Sequence, residues 1–98
     1  MELFHRTSRE EADRILSGGK WRSLESPARI YFSTVVTGQN AGYGEAVLWV
    51  TVPDSLCELD DEFPDGEQHY AVPVTALNAA GLEVSEVHNR IPDDWPGR

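Results

Sequence analysis

The chain has 98 residues, with 8 Lys and Arg against 17 Asp and Glu, a formal charge of −9. That length suits one domain with a modest core, and that charge argues against general nucleic-acid binding, which needs a basic surface. No apolar run approaches the ~18 residues of a membrane span, no signal-peptide pattern opens the chain, and a lone cysteine, Cys57, excludes an internal disulfide framework and fits a cytoplasmic location.

Leu3-Phe4-His5-Arg6 reads as a short strand. Ser8-Arg9-Glu10-Glu11 has the form of a capping box, with Ser8 as N-cap and Glu11 reaching back. Ala12, Ile15 and Leu16 then share one helical face, and Ser17-Gly18-Gly19 ends a helix of about nine residues. Residues 20–29 are polar and mixed, with Trp21 and Leu24 as candidate anchors. Residues 30–36, rich in aromatic and β-branched side chains, predict a second strand. The glycines at 38, 42 and 44 mark a loop.

Ala46 to Val52 is apolar on both faces and predicts a buried central strand. Glu58 to Glu67 holds six acids and two apolar residues and reads as a surface connection. His69-Tyr70-Ala71-Val72 predicts a strand stopped by Pro73, and residues 75–78 a turn or a single helical turn. Leu82 to Val87 alternates as a half-exposed strand. The tail from His88, with two prolines and Asp93-Asp94, is expected to be irregular. The order β-α-β-β-β-β predicts an α+β fold, one domain over residues 1–98.

Charge is uneven. Residues 1–31 carry +1 and residues 32–98 carry −10, so an anionic ligand would meet the N-terminal third. The three histidines and Cys57 lack zinc spacing, and no calcium loop, phosphate-binding glycine loop or nucleophile elbow is present, so no metal site is expected. Cys57, beside Glu58, reads as a small apolar filler. Of the chemical side chains, His5 stands at a strand end before a helix N-terminus. Tyr31 precedes Tyr43 by twelve residues, and Glu67 and His69 point to one side of a strand.

His5-Arg6-Thr7-Ser8 before a capped helix, then Ile30-Tyr31-Phe32-Ser33, then Tyr43, then His69-Tyr70-Ala71-Val72 resemble the ADP-ribosyltransferase fold of the diphtheria-toxin and poly(ADP-ribose) polymerase type. The likeness runs from about residue 3 to residue 74. It implies two small, mostly antiparallel β-sheets with one N-terminal helix, and NAD bound between the sheets as substrate. It further implies transfer of ADP-ribose to a protein, nucleic-acid or small-molecule acceptor with release of nicotinamide.

By that resemblance His5 orients the NAD ribose. Arg6 stands where the family has glycine, and Thr7 or Ser8 lines the helix start. Arg6, Arg9 and Arg14 become candidates for the diphosphate. Tyr31 and Tyr43 stack on the nicotinamide, with Asn40 or Gln39 near its amide, and Ser33 is a further NAD-binding candidate. The sequence departs from the family where a glutamate is expected, since His69 takes that position and Glu67 lies two residues earlier. A carboxylate there stabilises developing positive charge, so Glu67 or His69 would stand near the anomeric carbon. Two alternatives remain: an inactive domain of the same fold that binds a nucleotide or a protein, and an acidic interaction protein. Transfer of an RNA 2′-phosphate to NAD ranks below these, because so acidic a chain has few basic residues for RNA.

Overall fold

The computed structural model describes residues 1–87, and the expected irregular tail lies outside them. β1 (Glu2–Thr7) is the first strand, one residue longer at each end than predicted. The Ser8 hydroxyl accepts the Glu11 N–H at 3.1 Å, and α1 (Arg9–Leu16) begins there. The other half of the capping box does not form. Glu11 instead accepts bonds from Arg14 and Arg22, because two guanidinium groups outcompete one backbone N–H. Arg14 first, with Arg22, holds the Glu11 carboxyl down to about 2. Ala12 and Ile15 are buried, whereas Leu16 is 37% exposed at the end of the last turn.

β2 (Arg29–Ser33) is shorter than the predicted strand. The Ser33 hydroxyl accepts the Val35 N–H at 3.1 Å, a local turn that diverts the chain from the sheet. β3 (Ala46–Thr51) is the predicted apolar strand. The acidic stretch taken as a connection instead contains β4 (Glu58–Glu62), every residue of it exposed. An edge strand pairs through its backbone and needs no apolar face, which is why hydropathy missed it. β5 (Gln68–Pro73) leads into α2 (Val74–Ala80), a seven-residue helix where a turn or a single helical turn was expected. Gly81, at φ 60, closes it, and β6 (Val84–Val87) follows.

The strands form one six-stranded antiparallel sheet in the order β4-β5-β2-β1-β3-β6. This corrects two expectations: among the described residues there is one sheet rather than two, and there are two helices rather than one. The sheet nevertheless has a seam. β1 pairs with β3 along its whole length, from Glu2↔Thr51 to Thr7↔Ala46, and β2 pairs with β5 from Arg29↔Pro73 to Ser33↔His69. β1 and β2 share a single pair, Phe4↔Ser33, and part from there toward Thr7.

The register sorts the side chains into two faces. Leu3, His5, Leu48, Val50, Ile30, Phe32 and Val72 lie on one. Most of them join Ala12 and Ile15 of α1, Trp21, and Leu77 of α2 in the core. Trp21 is a true anchor: its N–H and carbonyl bond reciprocally to the Asn78 side chain of α2 at 2.8 and 3.0 Å. Leu24, the other proposed anchor, is fully exposed, because nothing in the fold reaches over it.

Phe4, Arg6, Tyr31, Ser33 and His69 share the opposite face. β2 and β3 flank β1 and run parallel to each other, so residues 34–45 must travel back along the sheet. Arg6 holds this crossover on its own face, donating to the Val36 and Gly44 carbonyls and to Thr37 Oγ1. The crossover ends at Gly44 (φ 155), where an added Cβ would lie 2.2 Å from the Thr7 carbonyl oxygen. Only glycine fits that approach. Gly44→Ala is expected to destabilise the protein by at least about 1–3 kcal/mol from backbone strain alone. Gly42→Ala, with open space around its Cβ, is expected to stay within about 0.5 kcal/mol. Urea unfolding of both variants checks the contrast.

Candidate functional site

Where β1 and β2 part, the sheet opens into a cleft of about 780 Å³. His5 stands in the opening. Its Nδ1 lies 2.8 Å from the Tyr31 carbonyl and donates to it, supplying a bond that a continuous ladder would take from a backbone N–H. Trp21 and Phe32 hold the ring, each with its centroid 5.6 Å from the imidazole. Burial lowers the His5 pKa from its ordinary 6.5, although the Tyr31 carbonyl and Glu11 act to raise it. The neutral ring then has a lone pair on Nε2. Nε2 bonds to no described residue, and among the described residues no buried polar side-chain atom lacks a partner, so Nε2 is open to the cleft.

Register puts the Tyr31 and His5 side chains on opposite faces of the sheet, yet the parting strands let both line the same cleft. Tyr31 is 38% exposed and Tyr43 is 73% exposed, which leaves both rings free to stack on a planar ligand. Partial burial, then the nearby carboxylates of Glu25 and Asp60, raise the Tyr31 pKa, so its hydroxyl stays protonated. Arg6 and Thr7 line the cleft from β1, Ser33 and His69 from the paired ends of β2 and β5, and Asn40 from the crossover. Asn40 is buried, and its side chain folds back on its own loop, accepting the Gly38 N–H and donating to the Val35 carbonyl.

Three residues singled out in the sequence stand elsewhere. Arg9 pairs with Asp13 and with Glu86 of β6, and it does not line the cleft. Arg14 is occupied by Glu11 and the Lys20 carbonyl. Glu67 is 3% exposed and lies behind the cleft wall. Its Oε2 accepts the Ser33 hydroxyl at 2.9 Å and His69 Nε2 at 2.6 Å, and its Oε1 accepts the Gln39 N–H at 2.9 Å. Burial pushes the Glu67 pKa up, but these bonds, the Gln39 N–H foremost, more than offset it and leave the pKa lowered. The carboxylate thus ties β2, the crossover and β5 at one point.

The sequence reading missed several lining groups. Phe63, from the stretch dismissed as a connection, packs edge-on to His69 at 4.8 Å. Arg22 and Arg29 add cations, and Glu25, Asp60 and Asp61 add acids. Arg29 has no ion-pair partner among the described residues, and the Arg6 guanidinium bonds only to uncharged oxygens. Both therefore present net positive charge. Among the described residues no cluster of three or more His, Cys, Asp or Glu is placed to hold a metal ion, and no helix is long and apolar enough to cross a membrane. Comparison with protein-family models, with curated proteins and with solved structures finds no match.

His5 and Glu67 bind protons less readily in the fold than in the unfolded chain, so both withdraw stability on acidification. The His5 contribution is lost as pH falls from 6.5, and the Glu67 contribution as it falls from 4.5. Melting temperature measured against pH should therefore fall in two stages. His5→Gln should flatten the upper stage. Glu67→Gln should flatten part of the lower one, the remainder belonging to Glu11. Unchanged slopes in both variants would contradict the assignment.

Proposed function

We propose that the cleft binds NAD as a substrate and that the chain is an ADP-ribosyltransferase-like protein, moving ADP-ribose to an acceptor with loss of nicotinamide. The observation that carries this reading is the split between β1 and β2. It places a neutral histidine with a free acceptor nitrogen on one lip and the accessible Tyr31 on the other, with Tyr43 exposed on the crossover. A cleft of about 780 Å³ is of the size that takes a small organic ligand. The resemblance of residues 3–74 to that fold adds the identity of the ligand.

In this reading His5 Nε2 accepts a hydrogen bond from a ribose hydroxyl. The bond is directional because Nδ1 is already committed to Tyr31. Tyr31 packs on the nicotinamide, and Tyr43 closes over it from the crossover. Arg6 and Arg29, neither matched to a carboxylate, offset the two charges of the diphosphate. These side chains hold the glycosidic bond in one orientation, which is where positioning lowers a barrier.

A second reading, a nucleotide-binding module without turnover, is favoured by one observation. Glu67, the nearest carboxylate to the position where the resemblance expects one, is sequestered behind the wall.

Calorimetric titration with NAD tests the common premise. Wild type should bind, and Tyr31→Ala should lose about 1–3 kcal/mol, a tenfold to hundredfold weakening. Tyr43→Phe, which keeps its ring, should lose less. Equal affinities for wild type and a folded Tyr31→Ala would remove Tyr31 from the site. Nicotinamide release then separates the transferase from the binding module.

A further inference from the structure

Glu67 and His69 form a hydrogen-bonded pair at the cleft wall. The buried Glu67 carboxylate is ionised and can only accept, so His69 Nε2 carries the proton of their 2.6 Å bond. In the neutral ring Nδ1 then bears a lone pair. It bonds to no described residue, and since among the described residues no buried polar side-chain atom lacks a partner, it is open to solvent. His69 lines the cleft while Glu67 does not. Phe63 packs against the imidazole and the Ser33 hydroxyl fixes the carboxylate, so the ring has one orientation. An imidazole aimed into a cleft and fixed from behind by a buried carboxylate is the arrangement of a general base.

Resting on the transferase reading, we propose that His69 Nδ1 takes the proton of the acceptor, and that the acceptor is a neutral hydroxyl-bearing group. Glu67 acts as a positioning residue. The acceptor oxygen forms a bond to C1′ of the ribose, and its O–H proton passes to His69. The bond from C1′ to the nicotinamide nitrogen breaks, and its electron pair leaves with neutral nicotinamide. The imidazolium then returns its proton to solvent.

The acceptor class follows from chemistry and charge together. A carboxylate acceptor is already deprotonated and has no use for a base. It would also meet Glu25, Asp60 and Asp61 at the cleft, as would the phosphates of a nucleic acid. A hydroxyl needs the proton removed and carries no charge to be repelled. The groups that face His69 are Asp61 from β4, its cross-strand neighbour, Ser33 from β2, and Glu67 and Phe63 from the turn before β5.

The test uses the full chain with NAD and either methanol or acetate as acceptor, following nicotinamide and the ADP-ribose product. Wild type is expected to form the methyl glycoside in preference to the acetate ester. His69→Ala is expected to lose about 10²-fold in rate, with NAD affinity within about twofold and partial rescue by added imidazole. Glu67→Gln should keep NAD binding and slow methanol transfer less than His69→Ala does.

Preference of the wild type for acetate would overturn the proposal without any variant. So would equal rates in wild type and a His69→Ala that binds NAD, or NAD binding with no nicotinamide release. These results leave NAD binding intact. Failure of the wild type to bind NAD would instead overturn the reading of the cleft itself.

Discussion

The two halves of the sheet meet at one residue pair and one imidazole. Phe4↔Ser33 is the only ladder contact between β1 and β2, and the His5 bond to the Tyr31 carbonyl stands where the next contacts would have formed. Backbone groups at a parting must find partners or water. A side chain that spans the gap satisfies one of them and keeps the gap open. Trp21 and Phe32 press on the same ring from the core, so the core and the cleft share a wall. α2 is tied to this as well, since Trp21 is bonded to it through Asn78.

The crossover over residues 34–45 is held from two sides by charges of opposite sign. Arg6 takes hold of its carbonyls near both ends, and Glu67 takes the Gln39 N–H in its middle. Each charge meets the backbone dipole it prefers, so neither is buried without a partner. Gly38 lies against the Glu67 carboxylate, with no room for a side chain. Tyr43 and Asn40 are carried on this segment, which gives a loop the fixed position that a binding wall needs.

The sequence was informative where side-chain chemistry decides backbone form. Ser8, the apolar run from Ala46 and the spacing of Ala12 and Ile15 each placed their element, because caps and buried faces leave a local pattern. Nine of the residues that the resemblance singled out, from His5 to His69, line one cleft. What escaped depended on partners distant in sequence. β4 has no apolar pattern because β5 alone makes it a strand. Glu11 abandons its cap for Arg22, eleven residues on. Glu67 stood out in the sequence as an acid beside His69, but its burial among Ser33, Gln39 and His69 did not.

β4 has a further consequence, for crowding. Among the described residues it is an outer strand of the sheet, with one side of its backbone unpaired and a bulge between Leu59 and Asp61. Such an edge invites a second copy to add its own strand. Here a copy docking antiparallel would set Glu58, Asp60, Asp61 and Glu62 against the same four carboxylates, and like charges directly opposite one another are destabilising. The acidity that hides this strand from a hydropathy reading thus also guards it, and the same sheet can remain open at its edge without growing into a fibre.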